Sequence, residues 1–364
     1  MHKNTARRLT AYRALLVSLG HGSSSMKAAW TNLKIMPRRW IAIALWALVL
    51  ALPHRALANP TLLYDPANDK VLYAEQIDRL WHPASVTKIM TAYLTFQAIK
   101  AGRFTLQSKI PYSQLAQKMP ASKIGLNVGS EVSLDFALKA VIIKSANDIS
   151  VAVAEAVGGS HDGFVAQMNA TAKRLGMTRT HFVNPNGLPA PAQVTTARDL
   201  ARLASAVIKD FPEYSNYWTL SSMRVGKRRL RSHNSLLRKF EGADGMKTGF
   251  ICDSGYNIVA TATRNGRQLV AVVLGERSGG TRGVRAASLL EHGFNTYDWK
   301  LFFQANGLDA TPVSTGSAET TSLRRKVCGR RRRIRRRKPK RRPKKVTQKK
   351  ASASLASQAF QNTN

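Results

Sequence analysis

Acidic residues are scarce in this chain. Its 364 residues include 20 Asp and Glu against 57 Lys and Arg, for a formal net charge of +37 and a pI near 11.1. Such an excess first suggests a nucleic-acid binder, but the position of the missing acids argues otherwise. None occurs in residues 1–58, which hold 9 basic residues, and none between Arg324 and Lys350, which hold 18. Residues 59–323 are left with 30 basic against 20 acidic residues, so the extreme pI belongs to the two ends. Cysteine is almost absent. The two, Cys252 and Cys328, make no disulfide framework. They are not expected to pair with each other, because a bond would tie a strand region to a disordered segment. Cys252 then reads as a small buried hydrophobe. There is no internal repeat and no cluster of metal-ligand residues, the eight histidines being scattered. The apolar run from Trp40 to Leu52 is too short to cross a bilayer comfortably.

What that run does fit is the centre of a secretory signal. Met36-Pro37-Arg38-Arg39 supplies a basic start and Ala56-Leu57-Ala58 a small-residue end, so cleavage is expected after Ala58 and the mature chain in the periplasm or cell envelope. A signal ordinarily opens at the first methionine, which places the expected translation start at Met36 or Met26. At the other end, Arg330 to Lys345 repels itself, carries two prolines and has almost no apolar residues. A disordered tail is predicted over 304–364. Outside the cytoplasm its expected partners are anionic surfaces such as phospholipid headgroups, not nucleic acid. The organisation read from sequence is therefore an extension and signal over 1–58, a folded body over 59–303 and a basic tail.

Three short motifs stand in that body, in order and well separated: Ser85-Val86-Thr87-Lys88, Ser145-Ala146-Asn147 and Lys247-Thr248-Gly249. A serine hydroxyl needs an adjacent base. Lys88 supplies one if both sit on a helix, since positions i and i+3 share a face. Pro83 suits a first turn, and Ile89 to Phe96 continues as a buried helix would. Ser85 then lies where unpaired backbone N–H groups favour developing negative charge. A lysine acts as a base only when its pKa falls, and a second cation at Lys247 would help lower it. Ser145-Ala146-Asn147 falls on a turn between two apolar helical stretches, offering a hydroxyl to pass a proton and a carboxamide to hold an amide. Lys247-Thr248-Gly249 precedes a strand pair at Gly255 to Thr263 and Gln268 to Leu274. On an edge strand, a cation and a hydroxyl suit a terminal carboxylate, and Gly249 admits substrate close to the backbone. Together the motifs describe a serine acyl-transfer site.

Further runs match around them: Leu63-Tyr64-Asp65 with Val71-Leu72-Tyr73, Phe182-Val183-Asn184-Pro185-Asn186-Gly187-Leu188, Thr195-Thr196-Ala197-Arg198-Asp199, Asp244-Gly245-Met246 and Gly255-Tyr256-Asn257. With these the chain resembles the D-alanyl-D-alanine carboxypeptidase family of low-molecular-mass penicillin-binding proteins, from about Ala58 to Tyr297. The resemblance implies an α+β fold, an antiparallel sheet flanked by helices with a helical subdomain carrying Ser145. It also implies removal of the terminal D-alanine from peptidoglycan stem peptides, acylation by β-lactam antibiotics, and no cofactor or metal. Ser85 would be the nucleophile, Lys88 its base and Ser145 a proton donor to the leaving D-alanine. Asn147 would hold the peptide, Lys247 and Thr248 the carboxylate, and the N–H groups of Ser85 and Phe250 the oxyanion. His233, in Arg231-Ser232-His233-Asn234, stands near a position where relatives carry a substrate contact. Asp148 is expected to cap the following helix. A β-lactamase is disfavoured, since no acid between Asn147 and Lys247 sits in a Glu-x-x-x-Asn arrangement. A D,D-endopeptidase using the same residues stays open, as does an anionic-surface binder on an inactive hydrolase scaffold.

Overall fold

All five residues of the opening strand, β1 (Thr61–Asp65), are buried. Its chain reverses at an Asp65-capped turn, where the carboxylate accepts from the N–H groups of Ala67 and Asn68, into β2 (Lys70–Glu75). The computed structural model describes residues 59–297, 306–314 and 319–329. After a short 3-10 turn at Ala84–Thr87 comes α1 (Lys88–Lys100), buried along nearly its whole length as its sequence suggested. A small β3 (Lys109–Pro111)/β4 (Glu131–Ser133) hairpin brackets α2 (Gln114–Lys118). A helical region follows, with α3 (Leu134–Lys139) running on through a π turn to Lys144, then α4 (Asn147–Gly158) and α5 (His161–Arg174).

The next helix, α6 (Ala197–Asp210), was not anticipated as a helix, although Thr196 caps it by accepting from the Asp199 N–H and its apolar residues recur on one face. The chain continues through α7 (Asn216–Thr219), a β5 (Ser222–Val225)/β6 (Arg228–Arg231) hairpin and three long strands: β7 (Ala243–Ile251), β8 (Gly255–Arg264) and β9 (Arg267–Glu276). The last long helix is α8 (Gly279–Thr296). A capping box between Ser278 and Thr281 opens it.

The main sheet is antiparallel, in the order β2-β1-β9-β8-β7. Period-2 alternation divides its buried residues between two layers. Leu63, Ile258, Ala260, Leu269, Ala271 and Val273 pack with Ala286, Leu289 and Leu290 of α8. Leu62, Val259, Val270, Val272 and Leu274 face α1 and α6 in the larger core. This is the α+β architecture read from the sequence, and it leaves β7 on an edge.

Two expectations are corrected. The tail was predicted to be disordered from residue 304, yet residues 306–314 and 319–329 pack on the body. Arg198, buried and paired with Asp78 (Nε–Oδ1 2.6 Å, Nη2–Oδ2 2.9 Å), donates to the carbonyls of Leu308 and Thr311, and the Ser314 N–H donates to Asp78. Leu308 and Leu323 are themselves buried. Cys252 and Cys328, expected to stay apart, form a disulfide, Cα–Cα 5.7 Å. Cys252 is thus half of a covalent staple and only half-buried. The dense basic run that starts at Arg330 follows directly on a segment whose apolar anchors and acidic partners lie far away in sequence, so composition does not separate the two. The signal at 36–58 and the basic run 330–345 lie outside the described residues.

Candidate active site

The nucleophile's turn is pinned before any chemistry is considered. The Asn257 carboxamide on β8 donates to the carbonyls of His82 (3.0 Å) and Pro83 (3.1 Å) and accepts from the Gly275 N–H (3.0 Å). The Trp81 indole donates to the Ser254 carbonyl. Ser85 and Lys88 therefore sit at the start of α1 against the sheet, three residues apart and facing one another.

Lys88 is fully buried, with its Nζ 3.1 Å from Ser85 Oγ and 2.8 Å from Asn147 Oδ1, and bonded to the Asn186 carbonyl. Burial first, then the neighbouring charge of Lys247, hold its pKa well below the ordinary lysine value, with Asp148 pulling the other way. Asn147 Oδ1 and the Asn186 carbonyl accept from the amine and hold it against the Ser85 hydroxyl. Asn186 lies within one of the runs that match the family, Phe182 to Leu188. Its part is played by a backbone carbonyl, which no residue type announces.

Ser145 has φ 61°, in the left-handed region, and ends the π turn before Ala146 opens α4. Its Oγ has no hydrogen-bond partner within the protein and lines the cleft. Asn147 joins the loop at Pro120 to Lys88, its Nδ2 donating to the Pro120 carbonyl at 3.0 Å. Asp148 stands in the first turn of α4 and not at its N-cap, which is Ala146, but it does satisfy one first-turn donor, its Oδ1 accepting from the Ile149 N–H at 2.9 Å. The carboxylate also accepts from the N–H groups of Ile124 and Gly125 and from the Tyr112 hydroxyl, tethering the 122–125 loop beside the site.

On β7, Lys247 and Thr248 are buried, and burial, reinforced by Arg282, lowers the Lys247 pKa to about 7. Gly249 passes so close to the nucleophile's turn that a Cβ there would lie 2.8 Å from the Pro83 carbonyl and 2.9 Å from the Ser85 nitrogen. This is the close approach foreseen for a glycine, though what approaches is the protein's own backbone. Phe250 follows, half-exposed and stacked obliquely on Tyr256, ring centroids 4.3 Å apart. His233 lies on the cleft wall. Its surface faces open space, yet the surrounding walls desolvate the imidazole and, with Lys247, Lys144 and Arg282, keep its pKa below the usual value.

The cleft, about 890 Å³, is lined by Ser85, Ser145, Asn147, Thr248 and Phe250 together, so side chains 165 positions apart in sequence share one wall. Arg282 lines it as well and went unnoticed in the sequence. It sits buried in the first turn of α8, donates to the His233 carbonyl at 3.0 Å, and has its pKa lowered to about 10 by burial. No local motif marks it. A buried basic residue just after a capping Ser is the one available cue.

A serine backed by a buried amine, a second hydroxyl on a helical subdomain and a cation-bearing edge strand define the class of serine acyl-transfer sites built on the penicillin-binding fold. The profile of the D-alanyl-D-alanine carboxypeptidase family, peptidase S11, matches residues 51–278. The D-alanyl-D-alanine carboxypeptidase DacC of Escherichia coli (strain K12) is 39% identical over 248 residues, 66% of this chain and 62% of that protein. Among solved structures, the D-alanyl-D-alanine carboxypeptidase DacD from Francisella tularensis superposes with a TM-score of 0.64 at 30% identity, covering 66% of this chain and 71% of that one. Penicillin-binding protein D2 from Listeria monocytogenes, in its cefotaxime-bound form, gives 0.60 at 30% identity, covering 65% and 97%. The chain belongs to the D-alanyl-D-alanine carboxypeptidase family. It spans less than two thirds of the length of curated relatives such as DacC, and Arg282 and the C-terminal strap lie beyond the segment the family profile matches.

Proposed function

We propose that the protein is a serine-type D-Ala-D-Ala carboxypeptidase that removes the terminal D-alanine of peptidoglycan stem peptides through a Ser85 acyl-enzyme. The observation that carries this reading is the buried Lys88 amine, held on Ser85 Oγ at 3.1 Å by two further acceptors and depressed in pKa by burial and Lys247. Neutral Lys88 takes the Ser85 proton as Oγ attacks the carbonyl between the two D-alanines. The N–H groups of Ser85 and Phe250 receive the oxyanion at the helix start. Ser145 Oγ, unpartnered and beside Asn147, passes a proton to the departing amine. Lys247, Thr248 and Arg282 hold the terminal carboxylate, with His233 on the same wall. Water then releases the shortened peptide. β-Lactams acylate the same serine, as cefotaxime and ampicillin occupy the Listeria protein. Export through the signal at 36–58 would place the enzyme in the periplasm, in cell-wall remodelling, and the basic run from Arg330 would hold it on anionic surfaces.

Incubation with penicillin is expected to add one penicillin mass to the intact protein and none to Ser85→Ala. Unlabelled wild type, or labelled Ser85→Ala, would refute the assignment. The rate of that labelling should be bell-shaped in pH. It rises as Lys88 loses its proton and falls as Lys247, with a pKa of about 7, loses the charge that attracts the carboxylate. Lys247→Arg stays charged to beyond about pH 12 and should remove the falling limb. A falling limb unchanged in that variant would show that Lys247 is not its source.

A further inference from the structure

The cleft carries more positive charge than one terminal carboxylate requires. Besides Arg282 it is lined by Lys239 and Arg324, and by no Asp or Glu. Arg324 is contributed by the C-terminal strap, which a sheet-and-helix reading of the body leaves out.

The strap is built onto the far end of β7. The Cys252–Cys328 disulfide closes it, the Leu323 N–H donates to the Asp253 carbonyl at 2.8 Å, and Ser322 Oγ donates to Asp253 Oδ1 at 2.7 Å. Leu323 is buried. Arg324 then lies on Asp253 through one edge of its guanidinium, Nε to Oδ1 at 3.2 Å and Nη2 to Oδ2 at 2.6 Å, with its side chain 63% exposed. That geometry leaves Nη1 for a second carboxylate.

β7 is an edge strand whose free side faces the cleft, so a peptide laid along it finds unpaired backbone groups. With the terminal carboxylate at Lys247 and Thr248 and the scissile carbonyl at Ser85 beside Gly249, the residues upstream of the scissile bond run past Phe250 and Ile251 toward Cys252. They end at the strap. We infer that the disulfide-closed strap is a wall of the substrate site and that Arg324 is a specificity-determining residue, recognising a carboxylate on the acyl-side residues of an acidic peptide. This rests on the carboxypeptidase reading and extends it to the substrate's upstream chemistry.

The test uses two N-acetylated tripeptides ending in D-Ala-D-Ala, whose first residue is a lysine with its side-chain amine either acetylated or succinylated. They differ by one negative charge, carried on a carboxylate one methylene beyond the acetyl carbon. At low salt the full chain is expected to release D-alanine from the succinyl peptide with kcat/KM about fivefold higher, the scale of one exposed charge pair, and high salt should erase the difference. Arg324→Gln should lose the preference while cleaving the neutral peptide at the wild-type rate, and Asp253→Asn, which frees the guanidinium, should enlarge it. Equal rates in the wild type, a preference that survives Arg324→Gln, or a loss that is the same for both peptides would overturn the inference. Failure to cleave either peptide would instead count against the carboxypeptidase reading. The inference would then be decided by Ser85 labelling with two penicillins differing in a side-chain carboxylate, where absence of an Arg324-dependent preference would overturn it.

Discussion

Replacing Lys88 by arginine is expected to slow acylation of Ser85 roughly 10²–10⁴-fold, the range that loss of a general base gives. The argument is electrostatic. A guanidinium stays protonated at any working pH, whereas full burial and then the nearby Lys247 hold the pKa of the Lys88 amine well below the ordinary lysine value. Lys88→Met, which keeps the volume and loses the nitrogen, should show the same rate loss. It should also lose stability, about 1–3 kcal/mol for each acceptor left unpaired among Asn147 Oδ1 and the Asn186 carbonyl. Stopped-flow labelling of folded variants checks both. If Lys88→Arg kept a rate within tenfold of wild type, the base would have to be another group.

The second large effect lies at a glycine on the cleft wall that has no side chain to offer the reaction. Gly187 has φ 80°, and a Cβ there would overlap the Ala84 carbonyl and come within 2.9 Å of the Ser85 nitrogen. Its neighbour Asn186 supplies the carbonyl that holds Lys88. Gly187→Ala must therefore push either the nucleophile's turn or the lysine's acceptor. A misplacement of about 1 Å costs on the order of 100-fold in rate, with about 1–3 kcal/mol of backbone strain besides. Gly102→Ala is the control. Gly102 shares the left-handed conformation, φ 71°, but its Cβ would meet nothing within 4 Å. It should lose some stability and no activity, and equal activity losses in both variants would remove the positional argument.

Much of this site was legible because its chemistry is carried by local spacing. Ser85 and Lys88 are one helical turn apart, Ser145 and Asn147 flank a turn, and Lys247 to Gly249 lie on one strand, so each pattern survives as three or four letters. The alternating residues of β8 and β9 showed the sheet for the same reason. What escaped was long-range or carried by backbone. The Asn186 carbonyl has no letter of its own, and Arg282 reaches the cleft only because α8 starts where it does. Asp148 accepts from the first-turn Ile149 N–H as its place in the sequence suggests, but its other partners, Tyr112 and the loop at Ile124 and Gly125, lie far off in sequence. The strap failed to show because charge was averaged across it. Asp78 and Arg198, 120 positions apart, and Asp253 and Arg324, 71 apart, together with a disulfide across 76 residues, do not register in any window of composition.

The most direct measurement is mass spectrometry of muropeptides after incubation with residues 59–364 and with their Ser85→Ala variant. The wild type is expected to remove one alanine from pentapeptides and the variant none. Pentapeptides left intact by both, or shortened by both, would contradict the central claim that a Ser85 acyl-enzyme releases the terminal D-alanine, and cleavage of cross-linked dimers in place of pentapeptides would make the protein an endopeptidase.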